Sequence, residues 1–131
     1  MSNRPQRAPG RPGRDMQLLL VINRAPYDGT DVAWNALRLA RTALEGGLTV
    51  RIFLMNEGVD LARTGARPAE AEFDLQDMLQ DLMQRGAAVR LCQTCLNRCG
   101  IGRGEVIPQA KVAGMKDLLE WIQGSDKVLT F

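Results

Sequence analysis

The feature of this sequence that most limits its possible folds is the alternation of short apolar runs with amphipathic helical segments. The first run, residues 16–22, is apolar apart from Gln17 near its start, which indicates a strand buried on both faces. Apolar residues then recur at helical spacing between residues 32 and 44, and the pair Gly46-Gly47 ends that helix. Because strand and helix keep alternating, the sequence predicts a mostly parallel sheet joined by right-handed crossovers, with helices on both faces.

The rest of the chain continues this order. The further predicted elements are a strand over residues 48–55, a helix from about 69 to 85, a strand over 87–91, a short strand near 110–112, a helix from about 115 to 123 and a strand over 127–131. Together they predict a single α/β domain over residues 16–131, with a five-stranded sheet between two layers of helices.

Residues 1–15 differ in composition from everything that follows. They hold four arginines among prolines and glycines, so that residues 16–131 contain 13 Lys and Arg against 14 Asp and Glu and are nearly neutral. Such a segment buries too little apolar surface to offset its chain entropy, and we expect a disordered tail. With four charges and no aromatic residue in the tail, we do not expect nucleic acid as a partner.

Composition also excludes several function classes. The chain has no histidine, which rules out catalysis by a Ser-His-Asp or Cys-His arrangement and any histidine-ligated metal. No apolar run approaches the ~20 residues of a membrane span, and no secretory signal is visible. The three cysteines lie within eight residues, a poor disulfide framework, so we expect reduced thiols in the cytoplasm and no membrane partner.

The cysteines, Cys92, Cys95 and Cys99, follow a predicted central strand. Ligands of open α/β sheets bind beyond the carboxyl ends of the strands, which is where Cys92 is expected to lie. The residues after Cys92 can start a helix, and a thiol at a helix N-terminus is favoured as the thiolate. Arg90, Arg98 and Arg103 add positive charge nearby. The pattern therefore predicts a nucleophilic thiolate that needs no histidine base.

Four interpretations of this cysteine spacing remain open from the residues alone. Cys92 could carry sulfur as a persulfide that Cys95 resolves or relays, or Cys92 and Cys95 could form a redox pair. Three thiolates could also belong to an incomplete metal or iron–sulfur site, although no metal or other cofactor is predicted. Finally, the cysteines could simply be small buried apolar residues.

Other polar residues are expected at the same edge of the sheet. Asn23, Tyr27 and Asp28 lie in the loop after the first strand, and Asn56 follows the second. We consider Asn23, Tyr27, Asp28 and Arg98 as candidate binding residues, with turn formation and helix capping as the simpler explanation for the loop.

At this point the chain resembles the DsrE-like proteins. The resemblance rests on the cysteine segment over residues 89–101 and on three further markers, which are residues 23–30, residues 53–59, and residues 115–121 leading into residues 126–131. Cys95 matches the second cysteine of the small YchN-type members of this family, whereas Cys99 matches no residue of known role.

The resemblance implies a flavodoxin-like α/β/α fold and transfer of sulfur between partner proteins. Cys92 falls on the sulfur-carrying cysteine of the family. A DsrE-like protein would therefore act as a sulfur carrier, a sulfurtransferase-like activity, with a sulfur donor and a sulfur acceptor protein as partners and with trimers or hexamers as its assembly. A different class of function on the same fold is an oligomeric module that binds a small ligand or a nucleotide, with the cysteines incidental.

Overall fold

The computed structural model describes residues 16–131. In chain order its strands and helices are β1 (Gln17–Ile22), α1 (Val32–Glu45), β2 (Thr49–Leu54), a 3₁₀ helix (Asn56–Ala62), α2 (Leu75–Gln84), β3 (Ala88–Cys92), α3 (Gln93–Cys99), a short 3₁₀ helix (Arg103–Glu105), β4 (Lys111–Ala113), α4 (Met115–Gln123) and β5 (Lys127–Thr130).

The strands form one sheet in the order β4-β3-β2-β1-β5, and every pair of neighbouring strands is parallel. The steps from β1 to β4 all run toward one edge, so right-handed crossovers place α1, α2 and α3 on the same face. The last crossover returns across the sheet to β5 and places α4 on the opposite face. The predicted three-layer fold with a five-stranded, mostly parallel sheet is confirmed.

Side chains of the sheet divide between two apolar clusters. The larger cluster lies under α1, α2 and α3, where Leu20, Ile52 and Leu79 are completely buried. The smaller one lies under α4, where the ring of Phe53 meets the ring of Trp121 edge-on with centroids 6.4 Å apart. Cys92 belongs to the smaller cluster.

The start of α2 differs most from the sequence-based prediction. The helix begins at Leu75 rather than near residue 69, because residues before it form turns and Asp74 caps it by accepting a hydrogen bond from the Asp77 N–H. The helical spacing of apolar residues includes Phe73, but Phe73 is not part of the helix. Its side chain instead stacks on Trp34, with the ring centroids 5.2 Å apart.

The interpretation of residues 1–15 as a disordered tail concerns a segment that lies outside the described residues. Within residues 16–131, no helix is long and apolar enough to cross a membrane.

Candidate functional site

The carboxyl ends of four strands meet at one edge of the sheet and bring together residues far apart in sequence. Asn23 follows β1, Asn56 follows β2, Cys92 ends β3 and Phe131 follows β5. Parallel pairing alone produces this convergence, because all strands point the same way. This edge carries the thiols.

Cys92 is the last residue of β3 and the N-cap of α3. Its side chain is 2% exposed and packs under α4 in the cluster that contains Phe53 and Trp121. Its sulfur accepts a hydrogen bond from the Cys95 N–H at 3.4 Å, as the side chain of an N-cap residue does. The predicted position of Cys92, at a strand end and a helix start, is therefore the observed one.

The predicted ionisation of Cys92 is wrong. Burial raises the pKa of the Cys92 thiol, and the neighbouring Cys95 thiol raises it further, while the backbone N–H groups of Cys95 and Thr94 act in the opposite direction. Desolvation of the charged form thus exceeds the stabilisation from the first turn of α3. In this conformation the thiolate form of Cys92 is therefore disfavoured.

Cys95 lies one turn along α3 and is half-buried. Its sulfur accepts a hydrogen bond from the Asn56 N–H at 3.0 Å, from the beginning of the 3₁₀ helix that follows β2. The two thiols are thus linked in series, since the Asn56 N–H bonds Cys95 and the Cys95 N–H bonds Cys92.

Asn56 is held in an uncommon conformation. Its φ of +51° makes it the one non-glycine residue with positive φ in residues 16–131, in a region that asparagine tolerates better than most residues. Its side-chain amide donates to the Asn23 Oδ1 at 2.8 Å, and the Asn23 amide donates in turn to the Phe131 carbonyl at 3.2 Å. A chain of hydrogen bonds therefore runs from β5, through the ends of β1 and β2, to the Cys95 sulfur.

The segment that carries Asn56 is packed closely against the end of β1. Gly58 lies so near that a Cβ on it would overlap the Ile22 carbonyl oxygen and lie 2.8 Å from the carbonyl carbon. The same carbonyl accepts a hydrogen bond from the Met55 N–H at 3.1 Å. These contacts fix the backbone on both sides of Asn56.

The remaining cysteine and the arginines lie farther from this linkage. Cys99 is exposed at the end of α3, beside the exposed Arg98, whose charge complements the carboxyl end of that helix. The Arg90 guanidinium stacks over the Trp121 ring at 4.2 Å and donates to the Asp117 carbonyl. Arg103 donates to the Gln93 side chain at 2.9 Å. In these contacts of the described residues, no guanidinium bonds to the Cys92 sulfur.

Tyr27 and Asp28, two of the candidate binding residues, have structural partners. The Tyr27 hydroxyl donates to the Phe73 carbonyl and accepts from the Leu75 N–H, both at 3.0 Å, and so anchors the start of α2. Hydrogen bonds from Thr30 hold the pKa of the Asp28 carboxyl below its ordinary value, with a smaller contribution from Arg24. Of the four candidate binding residues, Asn23 is the one that the hydrogen-bond network connects to a cysteine.

The sequence placed Asn56 at this edge of the sheet, but Asn56 was not among the candidate binding residues. The available signal was an asparagine directly after a strand with a glycine two residues later, a pattern that permits a left-handed residue and a close backbone approach. The pattern does not reveal that the resulting N–H points at a thiol 39 residues later in the chain.

The interpretation of the cysteines as part of a metal site is not supported by the positions of the described side chains. Across residues 16–131, no group of three or more cysteine or carboxylate side chains is arranged so that it could hold a metal ion. The chemistry available at this edge is that of two adjacent thiols and the N–H donors that bond them.

Comparisons with known proteins agree on one group. A sequence model of the DsrE/DsrF-like family matches residues 16–131. Protein MJ0989 of Methanocaldococcus jannaschii is 38% identical over 116 residues, which cover 88% of this chain and 100% of that protein. The sulfurtransferase TusD of Cronobacter sakazakii is 30% identical over 129 residues, covering 88% of this chain and 100% of TusD.

The YchN protein of Escherichia coli is similar in both sequence and structure. Its sequence is 35% identical over 117 residues, covering 88% of this chain and 98% of YchN. Its crystal structure superposes with a TM-score of 0.80 and covers 88% of this chain and 99% of the YchN chain.

Proposed function

This chain belongs to the DsrE/DsrF-like family, and we propose that it accepts sulfane sulfur as a persulfide on Cys92 and relays it to another protein. The family and the sulfurtransferase name of the TusD relative support a role in sulfur relay. The observation that carries the proposal is the linkage of two thiols at the carboxyl edge, where the Cys95 N–H bonds the Cys92 sulfur at 3.4 Å.

Sulfur transfer between thiols suits a site built this way. A thiolate attacks the outer sulfur of a donor persulfide, and the donor leaves as a thiolate, so the exchange needs neither a histidine base nor a metal. A persulfide on Cys92 would lie in an apolar cluster that excludes water, because the side chain is 2% exposed. Burial would protect the carried sulfur from thiols in solution.

The proposed partners are a sulfur donor protein and a sulfur acceptor protein, in a reducing cytoplasmic setting where free thiols persist. We also propose that the protein acts as a homotrimer or homohexamer. Support comes from the face around α4, where Met115, Leu119 and Ile122 are 56%, 54% and 40% exposed and Val128 of β5 is 39% exposed. Contiguous exposed apolar side chains of this kind are typical of a protein interface.

The decisive experiment measures retained sulfur. The protein is incubated with glutathione persulfide, the donor is removed by gel filtration, and the intact mass is recorded. We expect the wild type and Cys99→Ser to retain one added sulfur and Cys92→Ser to lose it, because Cys99 is exposed whereas Cys92 is buried. Alkylation followed by peptide mass analysis then locates the sulfur.

Two results would contradict the proposal. A wild-type mass that never increases by one sulfur would favour the binding-module alternative, with incidental cysteines. A mass that decreases by two hydrogens, with a bond between Cys92 and Cys95, would identify a redox pair instead.

A further inference from the structure

The two linked thiols differ sharply in access to an incoming donor. Cys92 is 2% exposed beneath α4, whereas Cys95, one turn along α3, is half-buried. Transfer requires a thiolate to reach the outer sulfur of the donor persulfide directly. In the observed conformation Cys95 is therefore the more accessible of the two residues to a donor persulfide.

The hydrogen bond to the Cys95 sulfur is also shorter than the one to the Cys92 sulfur. The Asn56 N–H lies 3.0 Å from the Cys95 sulfur, and an N–H that donates to a sulfur stabilises negative charge there. The contact at Cys92 is longer, 3.4 Å, and comes from within α3 itself. The hydrogen bond to the Cys95 sulfur therefore comes from a separate element, the segment after β2.

Several contacts hold the Asn56 N–H in place. Asn56, at positive φ, donates its N–H to the Cys95 sulfur on α3, and its side chain is fixed by Asn23. Gly58 allows the following turn to lie against the Ile22 carbonyl. A conformation that few residues adopt readily is thus maintained next to the accessible thiol, as occurs at functional sites.

We propose that sulfur first arrives on Cys95, that Asn56 is the residue that positions the Cys95 sulfur, and that Cys92 receives the sulfur from Cys95. This inference rests on the proposed function and assigns an order to its two thiols. Asn56 acts here as a positioning residue through its backbone N–H.

The chemistry balances in two exchanges. The Cys95 thiolate attacks the outer sulfur of the donor persulfide, a sulfur–sulfur bond forms on Cys95, and the donor leaves as its thiolate. Cys92 then gives up its proton and attacks the outer sulfur of the Cys95 persulfide as a thiolate, and the bond between that sulfur and Cys95 breaks. The proton released by Cys92 goes to the Cys95 thiolate, so no oxidant or reductant is consumed.

The order of the thiols is tested by the rate of sulfur uptake. Glutathione persulfide is mixed with wild type, Cys95→Ser, Cys92→Ser and Cys99→Ser, and intact mass is followed from seconds to minutes at neutral pH. We expect Cys92→Ser and Cys99→Ser to gain the first sulfur at the wild-type rate and Cys95→Ser to gain it at least tenfold more slowly. Cys92→Ser then loses this sulfur once the donor is removed, because the sulfur remains on the half-buried Cys95. Circular dichroism verifies that each variant is folded.

Uptake by Cys95→Ser at the wild-type rate would overturn the order while leaving Cys92 as the carrier. A wild type that never takes up sulfur would instead contradict the proposed function itself. The two failures are therefore distinguishable in one experiment.

The role of Asn56 is tested by two substitutions that remove the same side chain. Asn56→Gly keeps an N–H and adopts positive φ freely, whereas alanine is strained there and favours a backbone that turns the N–H away. With Cys92 and Cys99 replaced by serine, we expect Asn56→Ala to slow iodoacetamide alkylation of Cys95 severalfold at neutral pH and Asn56→Gly to restore most of the rate. Equal rates for the alanine and glycine variants would overturn the assignment.

Discussion

At the scale of single residues, burial and the backbone N–H groups of α3 shift the pKa of Cys92 in opposite directions, and burial has the larger effect. A cysteine at a helix start is favoured as the thiolate when water or positive charge surrounds it, but Cys92 packs under α4 with Phe53 and Trp121. Burial raises the pKa of the Cys92 thiol despite the N–H groups that face it. Cys95 is instead the less buried of the two residues, and its sulfur accepts a hydrogen bond from Asn56, outside α3.

The raised pKa of Cys92 makes folding stability depend on pH. Because the folded state keeps a proton that the unfolded state releases above pH about 8.5, this contribution is complete below that pH and is lost as pH rises through the folded pKa. We expect the free energy of unfolding to fall faster in wild type than in Cys92→Ala above this pH, by at most about 1.4 kcal/mol per pH unit.

Urea denaturation between pH 7 and pH 10 measures this difference. Cys99→Ala is the matched control, since Cys99 is exposed, and it should retain the wild-type slope. Parallel curves for wild type and Cys92→Ala would contradict the prediction.

Gly58 makes a second prediction at this scale. Adding a Cβ forces the turn after β2 away from the Ile22 carbonyl, so Gly58→Ala should lower the free energy of unfolding by about 2–3 kcal/mol. Gly104→Ala, where no heavy atom lies within 4 Å of the added carbon, should change it by less than about 0.5 kcal/mol. Thermal and urea unfolding of both variants decide the matter, and similar losses of stability would show that the close approach is unimportant.

At the scale of elements, the strands and the starts of α1 and α4 were predictable from the sequence, whereas the start of α2 was not. Continuous apolar runs such as that of β1 identify buried strands without any tertiary information. Helix starts depend on which polar side chain reaches an N–H. Asp31 precedes α1 but makes no capping bond, whereas Asp74, which the helical pattern placed inside a helix, caps α2.

The candidate site also combines local features, which the sequence shows, with a long-range contact, which it does not show. Cys92 and Cys95 were predictable as a pair because strand ends and helix starts are local features of the sequence. The Asn56 to Cys95 contact was not, because it joins residues 39 apart and depends on a backbone angle that sequence permits but does not require.

The two aspartates at helix starts give a matched prediction. Asp74→Ala removes the hydrogen bond from the Asp77 N–H, which is 3.0 Å long, and should destabilise the protein by about 1 kcal/mol. Asp31→Ala removes no side-chain capping bond and should cost much less. Urea denaturation of the two variants provides the comparison, and equal losses would contradict the assignment of the caps.

At the scale of the whole molecule, the two faces of the sheet are covered unequally. The order β4-β3-β2-β1-β5 puts three helices on one face and, in the described residues, α4 by itself on the other. The topology therefore leaves β5 and the outer side of α4 with apolar side chains in contact with solvent, among them Leu119 and Val128. This face is close to Cys92, which is buried beneath the same helix.

The proposed self-association of this face can be tested by placing a charge on it. In Leu119→Glu, a carboxylate would be buried at the interface without a partner, and we expect the association constant to fall at least tenfold, toward monomers. The matched control is Leu39→Glu, because Leu39 is also exposed but lies on α1, on the opposite side of the sheet. Sedimentation velocity at several concentrations measures the change, with circular dichroism to verify folding. A wild type that sediments as a monomer, or a Leu119→Glu variant that assembles like wild type, would show that this face is not the interface.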